Sequence, residues 1–155
     1  MALHCLGGFV VAVRYGLPRP TADLDSLEVI PARLGPLLQE VAGAGSGLAR
    51  AHGLHLQHVT VASLPDRSQE RLTPLWPGRF ARLALFTLEA HDLALSKLAR
   101  NSPIDREDVA CLARAAPLDP VLLRERYRRE LRPIIIGDVA RHDLTLDLWL
   151  EAYFG

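Results

Sequence analysis

Hydrophobic positions in the first half of the chain follow two periods, one typical of strands and one typical of helices. Four short apolar or alternating runs predict β-strands, and they cover residues 3–6, 24–30, 54–62 and 83–88. Residues 9–15 predict a short helix that ends at Gly16. Residues 32–42 carry leucine and valine at helical spacing and predict an amphipathic helix, which the glycine cluster at 43–47 ends.

From residue 89 onward, the pattern is helical. A serine followed by a proline at 102–103 and an aspartate followed by a proline at 119–120 are typical of helix N-termini, and Asp143 predicts the start of the last helix. These elements predict an α+β fold, in which a small mixed β-sheet with flanking helices is followed by a C-terminal helical segment. We expect a single domain over 1–155, with a sheet-containing core at 1–88 and a helical part at 89–155.

Composition narrows the class of protein. The chain has 155 residues, of which 49% are hydrophobic and 23% are charged, and this balance is typical of globular proteins. Its formal net charge of zero gives no support to a nucleic-acid partner, so any basic surface would have to be local. No segment approaches the roughly 20 apolar residues that span a bilayer. Glycines interrupt the apolar stretch 2–13, and no basic residue precedes it, so we expect no signal peptide and a cytoplasmic protein.

Asp23 and Asp25 are the first candidates for chemistry. Residues at i and i+2 on a strand point to the same face, so the two carboxylates are expected side by side. Because two close like charges repel, a divalent cation would stabilise the pair, and hard oxygen ligands suit Mg²⁺ or Mn²⁺. The alternative is a solvated strand end at which Thr21 and Asp23 only shape a turn.

Gly7 and Gly8 lie between the first strand and the first helix. A glycine pair at such a junction lets the backbone approach a ligand closely, and the helix N–H groups point at an anion. A glycine loop facing a pair of aspartates is a coherent arrangement for binding a nucleoside triphosphate. The alternative is a glycine pair that serves only as a turn.

Together these residues resemble a known family. Gly7-Gly8 through Arg14, followed by the stretch from Arg19 to Asp25, resembles the paired motifs of the DNA polymerase β-type nucleotidyltransferase superfamily. The block at 92–109, with a lysine followed by an aspartate-rich segment, is similar to the AbiEii/MenT-like branch, which includes toxin components of toxin–antitoxin systems. The resemblance extends over residues 3 to about 150.

The resemblance implies roles for individual residues. It implies Asp23 and Asp25 as catalytic metal ligands for Mg²⁺ or Mn²⁺, and Lys97, Asp105 and Asp108 as further catalytic residues. It implies that the nucleotide is bound by a second group, which comprises Gly7, Gly8, Arg14, Thr21 and Lys97. Lys97 is the only lysine among 18 lysines and arginines. From the residues alone, Asp105 is also explained as a helix-capping acid.

The expected activity is metal-dependent transfer of a nucleoside monophosphate from an NTP to a hydroxyl on RNA (tRNA) or protein. An antitoxin or another operon partner is expected with the toxin role, and no membrane partner is expected. The alternative is a catalytically impaired nucleotide-binding or protein-interaction member of the same fold. Three departures from the motifs favour that alternative: Phe9 follows the glycines, residues 54–62 contain no acid, and Ile104 replaces an arginine.

Overall fold

The computed structural model describes residues 1–60 and 62–155. Its strands are β1 (Ala2–Leu6), β2 (Asp23–Ile30), β3 (His55–His58), β4 (Thr73–Leu75) and β5 (Ala84–Thr87). Its α-helices are α1 (Gly7–Tyr15), α2 (Gly35–Ala42), α3 (Gly47–His52), α4 (Ala90–Leu95), α5 (Pro103–Ala115), α6 (Pro120–Arg126) and α7 (Val139–Phe154). The predicted α+β fold is confirmed.

The Cα positions divide the chain into two units. The sheet unit comprises Met1–Ala62 and Leu72–Leu88, and the helical unit comprises Ser63–Arg71 and Glu89–Gly155. The segment 63–71, which contains the 3₁₀ turn Ser68–Arg71, therefore groups with the later helices although it precedes β4 and β5 in the chain.

One mixed five-stranded sheet forms the sheet unit, in the order β3-β2-β1-β5-β4. β1 pairs antiparallel with β2 and parallel with β5, β2 pairs parallel with β3, and β4 pairs antiparallel with β5. Residues aligned across these pairs share a face. One face is apolar and buried, and its members are Leu3, Cys5, Ser26, Val29, Leu56, Leu75, Leu85 and Thr87. The other, which we call the polar face, carries His4, Asp23, Asp25, Glu28, His55, Gln57 and Phe86, each at least partly exposed.

A β-bulge in β2 decides which acids reach the polar face. Cys5 pairs with Ser26 and His4 with Glu28, so Leu27 is the extra residue at the register shift. Strict alternation would place Val29 on the same face as Asp25. The bulge shifts the alternation by one residue, so Val29 joins the buried face and Asp25 stays on the polar face.

The third strand was predicted too long. β3 ends at His58 rather than at residue 62, because it pairs only with Asp23–Ser26, the part of β2 that precedes the bulge. Val61, which belongs to the predicted strand, lies outside the described residues. The sequence analysis also missed α3 and β4, which are six and three residues long.

The predicted amphipathic helix forms as a 3₁₀ turn, Ala32–Leu34, followed by α2. None of the α2 residues is buried, and Leu37 and Val41 are 56% and 47% exposed. The prediction of a helix from the spacing of leucine and valine is therefore confirmed. The apolar side of this helix is not buried.

N-terminal caps explain where three helices of the helical unit begin. Ser102 caps α5 and Asp119 caps α6, as the serine–proline and aspartate–proline pairs predict. The predicted start of the last helix at Asp143 is wrong, because Asp138 caps α7 by accepting a hydrogen bond from the Arg141 amide (3.0 Å). Asp143 lies within α7, where it accepts a hydrogen bond from the Tyr127 hydroxyl (2.6 Å).

A network of charges connects three segments of the helical unit. The Arg71 guanidinium donates hydrogen bonds to Asp92 (2.8 Å) and Glu130 (2.6 Å). Arg126 also donates to Asp92 and to Glu89, which caps α4. Burial alone would raise the pKa of Glu89, but hydrogen bonds from His91 and Arg126 outweigh it and lower that pKa to about 2. The fully buried Asp92 is thereby compensated by two arginines, which is the condition for keeping such a charge in a core.

No helix in the described part of the chain is both long and apolar enough to cross a membrane.

Candidate active site

The two aspartates of β2 lie where the polar face meets the start of α1. Asp23 and Asp25 are both half-buried and lie on the same side of the strand. Leu6, the last residue of β1, pairs with Asp25, and Gly7 follows it directly as the first residue of α1. The strand–helix junction and the aspartate pair predicted from the sequence are therefore neighbours within the sheet unit.

Gly7 is in direct contact with the Asp25 carboxylate. Its φ of +78° lies in the left-handed region, which residues with a side chain rarely adopt. A Cβ at this position would overlap an oxygen of the Asp25 carboxylate and would lie 2.9 Å from its Cγ. Glycine is therefore required here both by its backbone angle and by the carboxylate beside it. Of the two adjacent glycines, Gly7 is the one that contacts Asp25.

Replacing Gly7 with alanine is expected to destabilise the protein more than the same change at Gly16. Gly16 has a similar φ of +74°, but a Cβ there would meet nothing within 4 Å. The Gly16→Ala change therefore measures backbone strain alone. That strain costs about 1–3 kcal/mol, and Gly7→Ala adds the overlap with Asp25. Chemical denaturation would measure both losses. The excess at Gly7 should shrink in an Asp25→Ala background, which removes the carboxylate but keeps the Cβ of residue 25. Equal losses at the two glycines would contradict the contact.

Asp25 also affects a buried thiol. Burial and then the charge of Asp25 raise the pKa of the Cys5 thiol to about 12. At neutral pH this thiol is protonated, so Cys5 is a core residue of β1 and not a nucleophile. Cys111 is also free and buried.

Two histidines accompany the acids of the polar face. His55 aligns with Asp23 in the parallel β2–β3 pair, and its Nε2 lies 3.3 Å from Asp23 Oδ1. His4 lies opposite Glu28, with its Nδ1 3.2 Å from Glu28 Oε2. The polar face therefore carries carboxylate–imidazole contacts on both sides of the bulge.

The remaining predicted residues of the sheet unit have local contacts. Gly8 is half-buried in the first turn of α1. Arg14 donates hydrogen bonds to the carbonyl of Pro74 (3.2 Å) and to the Thr87 hydroxyl (3.3 Å), which links α1 to β4 and β5. Thr21 donates to the carbonyl of Asp23 (3.3 Å), as a residue shaping a turn does. Nucleotide contacts of these residues stay a prediction.

Lys97, Asp105 and Asp108 form a cluster inside the helical unit. Lys97 is only 5% exposed, and both aspartates are fully buried. The Lys97 ammonium donates a hydrogen bond to Asp108 Oδ2 (2.7 Å) and lies 3.8 Å from Asp105 Oδ1. The structure therefore brings together the three residues that the resemblance grouped. The Lys97 ammonium forms a buried ion pair with Asp108.

The contacts of Asp105 are those of a helix-capping residue. It is the third residue of α5 and forms a capping box with Ser102, in which each side chain bonds the other residue's backbone amide. Arg100 adds two hydrogen bonds (2.7 and 2.6 Å). Burial would raise the pKa of Asp105, but the hydrogen bonds from Arg100 and Ser102 outweigh it and lower that pKa to about 2. This geometry favours the capping role, and a catalytic role for Asp105 stays a prediction.

The donor set of the aspartate pair suits a hard divalent cation. Carboxylate oxygens are the ligands that Mg²⁺ and Mn²⁺ prefer, and Mg²⁺ is commonly held by one or two carboxylates together with substrate phosphates. Across residues 1–60 and 62–155, no group of three or more histidine, cysteine or acidic side chains is arranged to hold a metal ion. Asp23 and Asp25 are therefore the residues that would hold such an ion.

His55 is the residue of this region that the sequence analysis missed. The available signal was that His55 and Gln57 repeat the i, i+2 spacing of Asp23 and Asp25. This spacing indicates a contact with the aspartates only once β3 is known to lie beside β2 in this register.

Comparison with known proteins identifies a family for the chain. Searches of curated proteins and of solved structures find no match for the chain. A family model described as "Nucleotidyltransferase of unknown function (DUF6036)" matches residues 3–150, which is nearly the whole chain. The chain therefore belongs to this family of nucleotidyltransferases of unknown function.

Proposed function

We propose that this protein is a metal-dependent nucleotidyltransferase that transfers a nucleoside monophosphate from an NTP to a hydroxyl group on RNA, with tRNA as the first candidate, or on a protein. The observation that carries the proposal is the contact between the Asp25 carboxylate and Gly7 at the start of α1, with Asp23 on the same strand face. Family membership supports the class of reaction.

The start of α1 supplies the phosphate side of the proposed site. Leu6 occupies the N-cap position and provides no side-chain hydrogen bond, and the first turn contains no acid. Backbone N–H groups at a helix N-terminus favour an anion, and Gly8 adds no side chain that would obstruct one. Asp23 and Asp25 would hold Mg²⁺ or Mn²⁺ beside this helix end. When bound, the ion would neutralise charge on the triphosphate.

The proposed reaction is an in-line displacement. The acceptor hydroxyl oxygen forms a bond to the α-phosphorus, the bond from that phosphorus to the bridging oxygen breaks, and pyrophosphate leaves with the bonding electron pair. The hydroxyl proton passes to solvent. The chain's own contribution is to position the reactants and to arrange charge around the phosphates.

Lys97, Asp105 and Asp108 enter the proposal through the resemblance alone. In this role Lys97 contacts phosphate as a point charge, and the two aspartates hold the ammonium in place. Their buried ion cluster is compatible with such a positioning role within the helical unit.

The function is tested by offering each of the four α-³²P-labelled NTPs with Mg²⁺ or Mn²⁺, together with total tRNA or a mixture of proteins. We expect label from one NTP to become covalently attached to the acceptor, with release of pyrophosphate and no reaction in the presence of EDTA. Lack of labelling of every acceptor, combined with no NTP-dependent rise in melting temperature, would contradict the proposal.

A second candidate is a nucleotide-binding member without catalysis. The observation that favours it is that the described residues assemble no group of three metal-ligating side chains. This candidate predicts that an NTP with Mg²⁺ raises the melting temperature while no label is transferred.

We also propose a toxin–antitoxin setting, which rests on the similarity to the AbiEii/MenT-like branch. NTPs and tRNA are cytoplasmic, so this function places the protein in the cytoplasm. Induced expression should arrest growth, and co-expression of an operon partner should relieve the arrest. Normal growth at high expression of an active protein would contradict this setting.

A further inference from the structure

We propose that His55 is the positioning residue for Asp23 in the metal site. This inference rests on the proposed function and assigns a role to a residue outside the aspartate pair. It follows from the different ways in which the structure holds the two carboxylates.

The Asp25 carboxylate lies against Gly7, in the space that a side chain at that position would occupy. Asp23 begins β2, and its side chain is 50% exposed, so a lone aspartate there would sample several rotamers. The group beside it is the His55 imidazole, whose Nε2 lies 3.3 Å from Asp23 Oδ1. His55 therefore lies beside the Asp23 carboxylate as Gly7 lies beside the Asp25 carboxylate.

The backbone of His55 is fixed by the sheet, and its side chain is partly buried. The His55 amide donates a hydrogen bond to the carbonyl of Ala22 (2.8 Å), and His55 aligns with Asp23 across the parallel pair. Its side chain is only 25% exposed, which makes it the more constrained partner. A fixed donor beside a mobile acceptor orients the acceptor.

The contact also bears on the tautomer of the imidazole. Nε2 lies 3.3 Å from Asp23 Oδ1, so the tautomer with its proton on Nε2 would direct that proton toward this oxygen. With Oδ1 engaged in this way, Oδ2 is the oxygen of Asp23 that is left for a cation. In this role His55 acts through Asp23 and is not a metal ligand.

The test uses Mn²⁺ alone as the probe, with the unbound ion measured by electron paramagnetic resonance. His55→Leu removes the donor at similar volume, whereas His55→Gln keeps an N–H donor at the end of the side chain. His58→Leu is the matched control, because His58 lies on the same strand, aligns with Ser26 and points to the opposite face. Thermal melts of all three variants report their folding.

Loss of a residue that orients a metal ligand costs about 10–100-fold in metal affinity. We therefore expect His55→Leu to weaken Mn²⁺ binding at least about tenfold, while His55→Gln stays close to wild type and His58→Leu is unchanged. Wild-type affinity in His55→Leu, or equal losses in the Leu and Gln variants, would overturn the inference. If Asp23→Asn also binds Mn²⁺ like wild type, the metal site of the proposed function fails as well. Loss in Asp23→Asn without loss in His55→Leu removes the role of His55 alone.

Discussion

Replacing Asp23 and Asp25 together with asparagine is expected to lower nucleotidyl transfer by about a thousandfold or more while the protein stays folded. Preorganised charge at a reacting phosphate contributes factors of about 10²–10³ for each group removed, and this change removes both candidate ligands of the ion. Folding should survive, because both side chains are half-buried on the polar face and asparagine has nearly the same shape. Removing two neighbouring like charges also relieves repulsion.

Glu28→Gln is the matched control for this change. Glu28 lies on the same strand and the same face, beyond the bulge, and its carboxylate contacts His4 instead of the α1 junction. We expect transfer by Glu28→Gln to stay within about twofold of wild type, as for a surface substitution. Similar losses in both variants would mean that transfer depends on the overall charge of the face. A large drop in melting temperature in the double asparagine variant would assign the pair a structural role.

Elements that local chemistry specifies were predictable from the sequence. The capping box at Ser102 and Asp105 requires only two side chains three residues apart, and the structure has it as expected. The stop of α1 at Gly16 is equally local, because a left-handed residue ends a helix wherever it lies. The i, i+2 spacing placed Asp23 and Asp25 on the same face for the same reason.

Elements that depend on pairing between distant segments were not predictable. The end of β3 depends on the bulge at Leu27, and that bulge exists only in the pairing of β1 with β2. The contact between His55 and Asp23 depends on the same sheet order. A single sequence contains no record of which strands are neighbours, so neither the length of β3 nor the partner of Asp23 could be derived from it.

The buried charges of the helical unit illustrate the same limit. The sequence analysis named Lys97 and Asp108 as separate site residues, and only the structure shows them as a buried ion pair. Similarly, Arg71 belongs to a segment for which no element was predicted, yet it compensates Asp92 from 21 residues away. Compensation of buried charge is long-range, because the partner can come from any segment that packs nearby.

Replacing Lys97 with methionine is expected to lower the free energy of unfolding by about 3–5 kcal/mol. Lys97 is 5% exposed, and its ammonium donates to the fully buried Asp108 at 2.7 Å. Methionine keeps most of the aliphatic volume, so the change removes the charge and leaves the packing largely intact. The cost arises because a buried carboxylate then loses its cationic partner in a medium that solvates charge poorly.

Lys97→Arg separates the charge from the shape of the lysine, and Arg124→Met serves as the surface control. Arginine keeps the charge but places a wider, planar group in a tightly enclosed position, so we expect an intermediate loss of about 1–3 kcal/mol. The Arg124–Asp147 pair is 38% and 58% exposed, and breaking it should cost less than about 1 kcal/mol. Urea denaturation measures all three changes, and NTP titration of the folded variants tests the phosphate contact that the resemblance gives Lys97. A Lys97→Met variant as stable as Arg124→Met would show that the ion pair contributes nothing to folding. In that outcome, a selective loss of NTP binding would reassign the lysine to the nucleotide.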